Sequence, residues 1–501
     1  MSDLLNKDEN NNRKSQLGRE NASFINNTQN NSAKTKSNIV EIPSITLPKG
    51  GGAMKSIDEK FEVNAANGTA SYSVSLPLSP GRNNFTPSLP LSYNSGGGNS
   101  PFGLGWSSSY PTIQRKTEKK LPEYQDALES DTFIFSGAED LVPELMVTKD
   151  SKGNDIWKKN TFKEGSATIT RYRPRIEVGF ARIEKIDDSG NIYWRVRSRD
   201  NIVSVFGKSD EAKLFSPVPG EKYKIFRWCL EYSYDDKGNF TSYVYRKENF
   251  DNVTPDIFEK NRSKGIAPFT NIYLKGVKYS NTTAFYEGDI LPKDFLFELV
   301  FDYGEHDALK PTKKLINTWA SRKDPFSDYR SGFEIRTYRL CRRILMFHHF
   351  TTELKQDDYL VRSTDLKYDE QKHLTYLESI IQTGYIWKDD GSLQSKRSLP
   401  PLEFSYFKPG FSREVKEIST DNIIHDPIGL DNRLYQWTDF YSEGIAGILS
   451  EQAGGWFYKE NLGDGNFSPA KLISPKPSFV GLSDGSLSIQ ELDADGKKYF
   501  V

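Results

Sequence analysis

Little in this 501-residue sequence commits it to a particular chemistry. There are only two cysteines, Cys229 and Cys341, which excludes a disulfide framework and leaves room for one bridge. Histidine is scarce, at five residues, and neither His-Glu-x-x-His nor Cys-x-x-Cys occurs. A metal site is therefore not expected. Charge of either sign is not in excess: 67 basic and 68 acidic residues leave a net -1. A general nucleic-acid binder would carry a basic surplus, so no nucleic-acid partner is expected. No apolar run approaches the roughly 18 residues of a membrane span, and mean hydropathy is -0.65, so direct membrane insertion is not expected. The opening MSDLLNKDENNN lacks the apolar core of a signal peptide, so a Sec signal is not the expected route out of the cell. Long helical periodicity is missing as well.

What is abundant is aromatic: 26 Tyr, 31 Phe and 8 Trp. These residues suit pleated surfaces. Trp194, Val196 and Ser198 alternate with Arg195, Arg197 and Arg199. Phe295, Phe297, Leu299, Phe301 and Tyr303 fall on one face at period two, and so do Trp228, Leu230, Tyr232 and Tyr234. The turn DDKGN (Asp235–Asn239) then leads into Phe240-Thr241-Ser242-Tyr243-Val244-Tyr245, a hairpin by both pattern and turn chemistry. DDSGN at Asp187–Asn191 and KDDGS at Lys388–Ser392 repeat the turn type. Many short strands with Gly/Asp/Asn turns define an all-β class.

The chain divides by composition. Residues 1–41 form an Asn-rich tail, with ten Asn in the first 38 residues, too poor in large apolar groups to order. Residues 42–407 are the β-rich region, closed by LPPLEFSYF (Leu399–Phe407). Residues 408–430 read as a connector, and residues 431–501 as a different unit. In that unit TDFYSEGIAGIL (Thr438–Leu449) aligns with QELDADGKKYFV (Gln490–Val501) at an offset of 52 residues. GGWFY (Gly454–Tyr458) reads as a strand between them and NLGDGNF (Asn461–Phe467) as a turn. A repeat of about 50 residues with several strands is the length of a β-propeller blade. The expectation is a first blade and the start of a second, and hence the front part of a longer protein.

Each chemical motif has a plainer alternative. Asp493, Asp495 and Gly496 resemble the opening of a calcium loop, but the aligned Tyr441, Ser442 and Glu443 are poor ligands, and a plain turn is the better reading. KGGGAMKS (Lys49–Ser56) imitates a phosphate loop but has Met54 where a Gly must precede the Lys. His348 and His349 are adjacent and point to opposite faces of a strand, so they cannot share one metal. Either histidine would lie about 20 Å or more from Cys341 along a strand, so Cys341 reads as a packed residue. RTYRLCRR (Arg336–Arg343) is a candidate basic patch, and more simply a solvated strand face. No catalytic, cofactor-binding or metal residues are assigned, and no cofactor is expected.

Two long stretches carry a resemblance. One is GGGAMKSIDEKFEVNAANGTASYSVSLPLSPGRNNFTPSLPLSYNSGGGNSPFGLGWSSSYPTIQRKT (Gly50–Thr117), followed by SDTFIFSGAEDLVP (Ser130–Pro143). The other is DPFSDYRSGFEIRTYRLCRRILMFHHF (Asp324–Phe350), backed by FDYGEHD (Phe301–Asp307). Together they resemble the N-terminal region shared by B components of bacterial Tc insecticidal toxin complexes and by the Salmonella plasmid virulence protein SpvB. GGWFYKENLGDGNF is similar to the propeller repeats of the Tc B components. The resemblance implies a large curled β-sheet shell, wound together with the Rhs repeats of a C component around a toxic cargo. It implies a propeller that gates the shell and docks on a channel-forming A component. It implies no enzymatic role for this region. The ADP-ribosyltransferase of SpvB lies at that protein's C-terminal end and uses a Glu-x-Glu pair, which these 501 residues lack. Two readings remain: a secreted, structural Tc B-like component, and the delivery half of an SpvB-like transferase.

Overall fold

A computed structural model describes residues 60–63, 68–136, 139–177, 179–408, 414, 434–452, 455–463, 465–473, 489–492 and 497–501. The proposed tail, the phosphate-loop mimic, nearly all of the proposed connector, Gly454 and the acidic loop at 493–496 lie outside these residues. Two compact units are present, Met1–Tyr406 and Phe407–Val501.

The first unit is all-β, as its alternation predicts. Its centre is a closed barrel of eight antiparallel strands: Thr112–Arg115, Phe133–Phe135, Glu139–Pro143, Ala167–Pro174, Arg182–Asp188, Asn191–Arg197, Val203–Phe206 and Ile225–Tyr234. Two long-range pairings close it, Tyr172 with Pro143 and Cys229 with Thr112. Neither is visible in local pattern. The DDSGN turn joins two staves with Asp188 opposite Asn191, and Ser189 and Gly190 take the positive φ that such a turn requires.

An eight-strand barrel is just wide enough for side chains to fill it. Trp194 and Val196 point inward and are fully buried, while Arg195 pairs outside with Glu184 at 2.8 Å. Inside, Phe133 and Tyr172 each lie 5.0 Å from the Trp194 ring. The Arg115 guanidinium caps one end, bonded to Asp126 at 2.6 Å and Asp131 at 2.8 Å. The inward side chains form a packed core.

Strand Ile225–Tyr234 is shared. Its first half pairs with Thr112–Arg115 to close the barrel, and its second half forms the DDKGN hairpin with Phe240–Lys247, Tyr234 opposite Phe240. From there an antiparallel meander runs through Ile272–Asn281, Phe295–Asp302, Arg343–His348, Tyr359–Glu370, Thr375–Trp387 and Leu393–Ser398. Its register slips at Val244/Tyr245, Met346/Phe347, Lys367/Tyr368 and Ile386/Trp387. Such bulges add local twist, and they curl the sheet. The alternation in Phe295–Tyr303 does set Phe297, Leu299, Phe301 and Tyr303 against one cluster. Beyond Glu298 the strand is buried on both faces, Leu299 and Phe301 in one cluster and Val300 in another.

A smaller sheet precedes the barrel: Lys60–Val63, Ala70–Val74, Leu91–Asn94 and Trp106–Ser108. LPPLEFSYF returns to it. Phe404 lies 4.8 Å from Trp106, and the Trp106 indole N–H donates to Tyr406 Oη at 2.7 Å. Gly105 has φ +76, and a Cβ there would meet the Tyr93 ring at 2.6 Å, so only glycine fits.

The second unit has one four-stranded sheet, Tyr435–Thr438, Gly447–Gln452, Gly455–Lys459 and Lys471–Ile473, around Leu449, Trp456 and Tyr458. Its first hairpin pairs Trp437 with Ile448 and Thr438 with Gly447. The same register recurs 52 positions on, with Ile489 opposite Phe500 and Gln490 opposite Tyr499.

Candidate functional site

The arginine run of Arg336–Arg343 faces inward and not toward solvent. Arg339 is fully enclosed, and its Nε donates to the equally enclosed Glu248 at 2.8 Å. Its other nitrogens donate to the carbonyl oxygens of Asn249, Asp251 and Trp319 at 2.7–3.1 Å. Arg336 pairs with buried Glu259, which also accepts from Tyr338 Oη and from Arg262. Arg342 reaches Glu370 at 2.5 Å, and Arg343 Nε reaches Asp302 at 2.8 Å. Four guanidiniums thus meet four carboxylates from four different elements. The solvated-face expectation fails because those partners lie far off in sequence. The basic patch is also absent, since each charge is matched.

FDYGEHD forms the adjoining knot. Asp302 accepts from Arg343 and from the Gly304 amide at 2.8 Å. Glu305, fully buried, accepts from Lys275 at 2.6 Å and from the Tyr303 amide at 2.7 Å. Burial pushes the Asp302 carboxyl up, but the Arg343 guanidinium and its hydrogen bonds win and hold it below the usual carboxylate range. The Arg343–Asp302 pair therefore ties FDYGEHD to the Asp324–Phe350 stretch by charge-assisted bonds.

The histidines separate, as adjacent strand residues must. His348 Nε2 meets Ser79 Oγ at 2.7 Å. His349 sits between Glu298 and Asp358, each at 3.2 Å, with Lys313 bridging the same carboxylates. Burial lowers the His349 pKa, but the bonds to Asp358 and Glu298 outweigh it and carry the ring up to about 9. A raised folded pKa means that its stabilisation is complete below the unfolded value near 6.5 and vanishes as pH rises through 9. Urea midpoints should therefore fall between pH 6.5 and 9, by about 1–3 kcal/mol in stability, and the fall should be missing in His349→Gln. An equal fall in both proteins would assign it to other groups.

Cys229 and Cys341 are buried and free. Burial pushes the Cys229 thiol up to about 12, and the Cys341 thiol is likewise raised by burial, so neither forms a thiolate nucleophile near neutrality. Among the described residues, no group of three or more His, Cys, Asp or Glu could hold a metal ion, and no helix is long and apolar enough to cross a membrane.

Among the described residues, an edge strand and an apolar ribbon face outward. Leu393–Ser398 is an edge strand blunted by Lys396 and Arg397, with Pro400 and Pro401 beyond it. The hairpin of Leu145–Lys149 with Asp155–Lys159 sets Val147 opposite Trp157. Leu145, Val147 and Trp157 share a face and are 51%, 49% and 68% exposed.

Fold and site together define an all-β protein whose arginine run and FDYGEHD segment are held by internal ion pairs. The model of the family described as Salmonella virulence plasmid 65kDa B protein matches residues 64–350, and the chain belongs to that family. It is 37% identical over 347 residues to the mono(ADP-ribosyl)transferase SpvB of Salmonella typhimurium, a match covering 66% of this chain and 55% of that protein. The chain thus spans about half the length of the curated relatives it matches. Among solved structures, the crystal structure of TcdB2-TccC3 is similar with a TM-score of 0.67 at 32% identity, covering 91% of this chain and 22% of that one. The Photorhabdus luminescens Tc holotoxin pore gives 0.68 at 32% identity, covering 92% and 21%. The N-terminal domain of effector protein SpvB from Salmonella typhimurium strain LT2 gives 0.53 at 34% identity, covering 66% of this chain and 99% of that one. The resemblance to Tc and SpvB components read from Gly50–Thr117 and Asp324–Phe350 holds.

Proposed function

We propose that this chain is a non-enzymatic structural part of a Tc-type toxin complex. Its curled meander and barrel supply wall to a shell that encloses a toxic cargo. The partner that completes the wall is the Rhs-repeat C component, and a channel-forming A component receives the assembly. The observation that carries this reading is the likeness to Tc assemblies over nearly the whole chain, second unit included. A sheet made of long antiparallel ladders, locked by buried arginine–carboxylate pairs, suits a wall that must not deform. Residues 431–501 are read as the first blade and the start of the second blade of the propeller, supported by the hairpin register that recurs after 52 residues. Residues 1–41 are read as a tail and 408–430 as a connector. The protein is made in the bacterial cytoplasm and acts outside the cell.

A second reading is the delivery half of an SpvB-like actin ADP-ribosyltransferase, favoured by the near-complete coverage of the SpvB N-terminal domain. Labelled NAD and actin test the non-enzymatic assignment that both readings make for these residues. Under both readings no label transfers to actin, with or without this chain. Transfer above background would overturn the non-enzymatic assignment.

A further inference from the structure

At the side of the barrel a cleft of about 590 Å³ opens between the DDSGN turn, the loop after Val203–Phe206 and the segment before Ile225. Its volume lies in the range of small-molecule sites. The lining holds three lysines, Lys208, Lys213 and Lys222, against one acid, Asp210. Lys222 takes up Asp210 as an ion pair. The other two ammonium groups have no such partner among the described residues. Lys208 extends its Nζ to 5.8 Å from the Tyr193 ring centroid. Lys213 is only 3% exposed, and its ammonium donates to the neutral amide oxygen of Asn191.

An enclosed ammonium satisfied only by an amide is costly unless an anion compensates it. The nearby Glu231 carboxylate is already engaged, since one oxygen accepts from the amides of Lys208 and Ser209 at 2.7 and 2.8 Å. Gly207 makes the close approach possible. At φ +58, a Cβ there would meet the Trp228 ring at 2.6 Å and the Lys213 side chain at 3.1 Å. Ser209 also lines the polar side, and Phe215 and Tyr223 form an aromatic wall.

We propose that this cleft binds a small soluble phosphate ester, its phosphate between Lys208 and Lys213 and its organic part against Phe215 and Tyr223. Two unpaired cations and a hydroxyl suit a phosphate group, and the aromatic wall suits a flat or apolar remainder. The concave shape favours a soluble molecule over a lipid surface.

The test is calorimetric titration of the whole chain with adenosine monophosphate, inorganic phosphate, and vesicles of phosphatidic acid with phosphatidylcholine. Saturable binding of the nucleotide is expected, tighter than that of inorganic phosphate. Lys213→Gln should weaken it at least about tenfold (about 1.4 kcal/mol). Lys208→Gln, at an exposed side chain that the fold does not need, should weaken it several-fold with unchanged urea midpoint. Absence of saturable nucleotide binding, equal affinity in wild type and Lys208→Gln, or binding to vesicles alone would each overturn the proposal.

Discussion

Replacing Arg339 by Met should cost about 3–5 kcal/mol of unfolding free energy, the largest loss among the arginines of its run. The reason is asymmetric. Arg339 and Glu248 are both fully enclosed, so removing the guanidinium leaves a carboxylate buried. It also takes away the guanidinium donors of the Asn249 and Asp251 carbonyls. Burial already pushes the Glu248 carboxyl up even with Arg339 beside it. The double variant Glu248→Met/Arg339→Met should lose less than the two single changes together, because no orphan charge remains. Urea unfolding of the four proteins checks this. Arg342→Met removes a half-exposed partner and should cost less. A loss at Arg339 no greater than at Arg342 would contradict the buried lattice.

Trp194→Ala should cost about 3–5 kcal/mol, because removing this fully buried ring leaves a cavity in a packed core. Its ring touches Phe133, Tyr172 and Trp228 at centroid distances of 5.0, 5.0 and 6.1 Å. Those rings come from different staves and cannot all collapse inward. Trp157→Ala is the internal control. That ring is 68% exposed on the protruding hairpin, and its loss should change stability by no more than about 0.5 kcal/mol. Chemical denaturation monitored by far-UV circular dichroism reads both. A small effect at Trp194 would mean that the barrel is loosely filled.

Period-two alternation was legible wherever one face is buried and the other wet. Trp194 and Val196 against Arg195 and Arg197 is such a case, and the DDKGN hairpin needs only local turn chemistry. Where both faces are buried, as from Leu299 onward, alternation still groups Leu299 with Phe301 but gives no sign that Val300 on the opposite face is buried as well. Barrel closure was hidden because Cys229 meets Thr112 across the chain. The arginine run was misread for the same kind of reason. Arg339 and Glu248 are 91 residues apart, and Arg336 and Glu259 are 77 apart. Nothing local tells a matched buried guanidinium from a solvated one. The abundance of nearby aromatics was the available clue, since the Arg339 guanidinium lies 4.4 Å from the Trp319 ring centroid. The lysine cleft left no sequence signal, because its three lysines are spread over a loop, a strand and a second loop.

The central claim is that this chain is wall and not catalyst. It is tested most directly by co-expressing this chain with an Rhs-repeat C component, then passing the product over a size-exclusion column. A shell shared between two chains buries far more than the roughly 2,000 Å² of transient complexes and should behave as obligate. The account predicts a single stable species containing both proteins, at a mass above that of either alone. Two well-folded monomers eluting separately would contradict it.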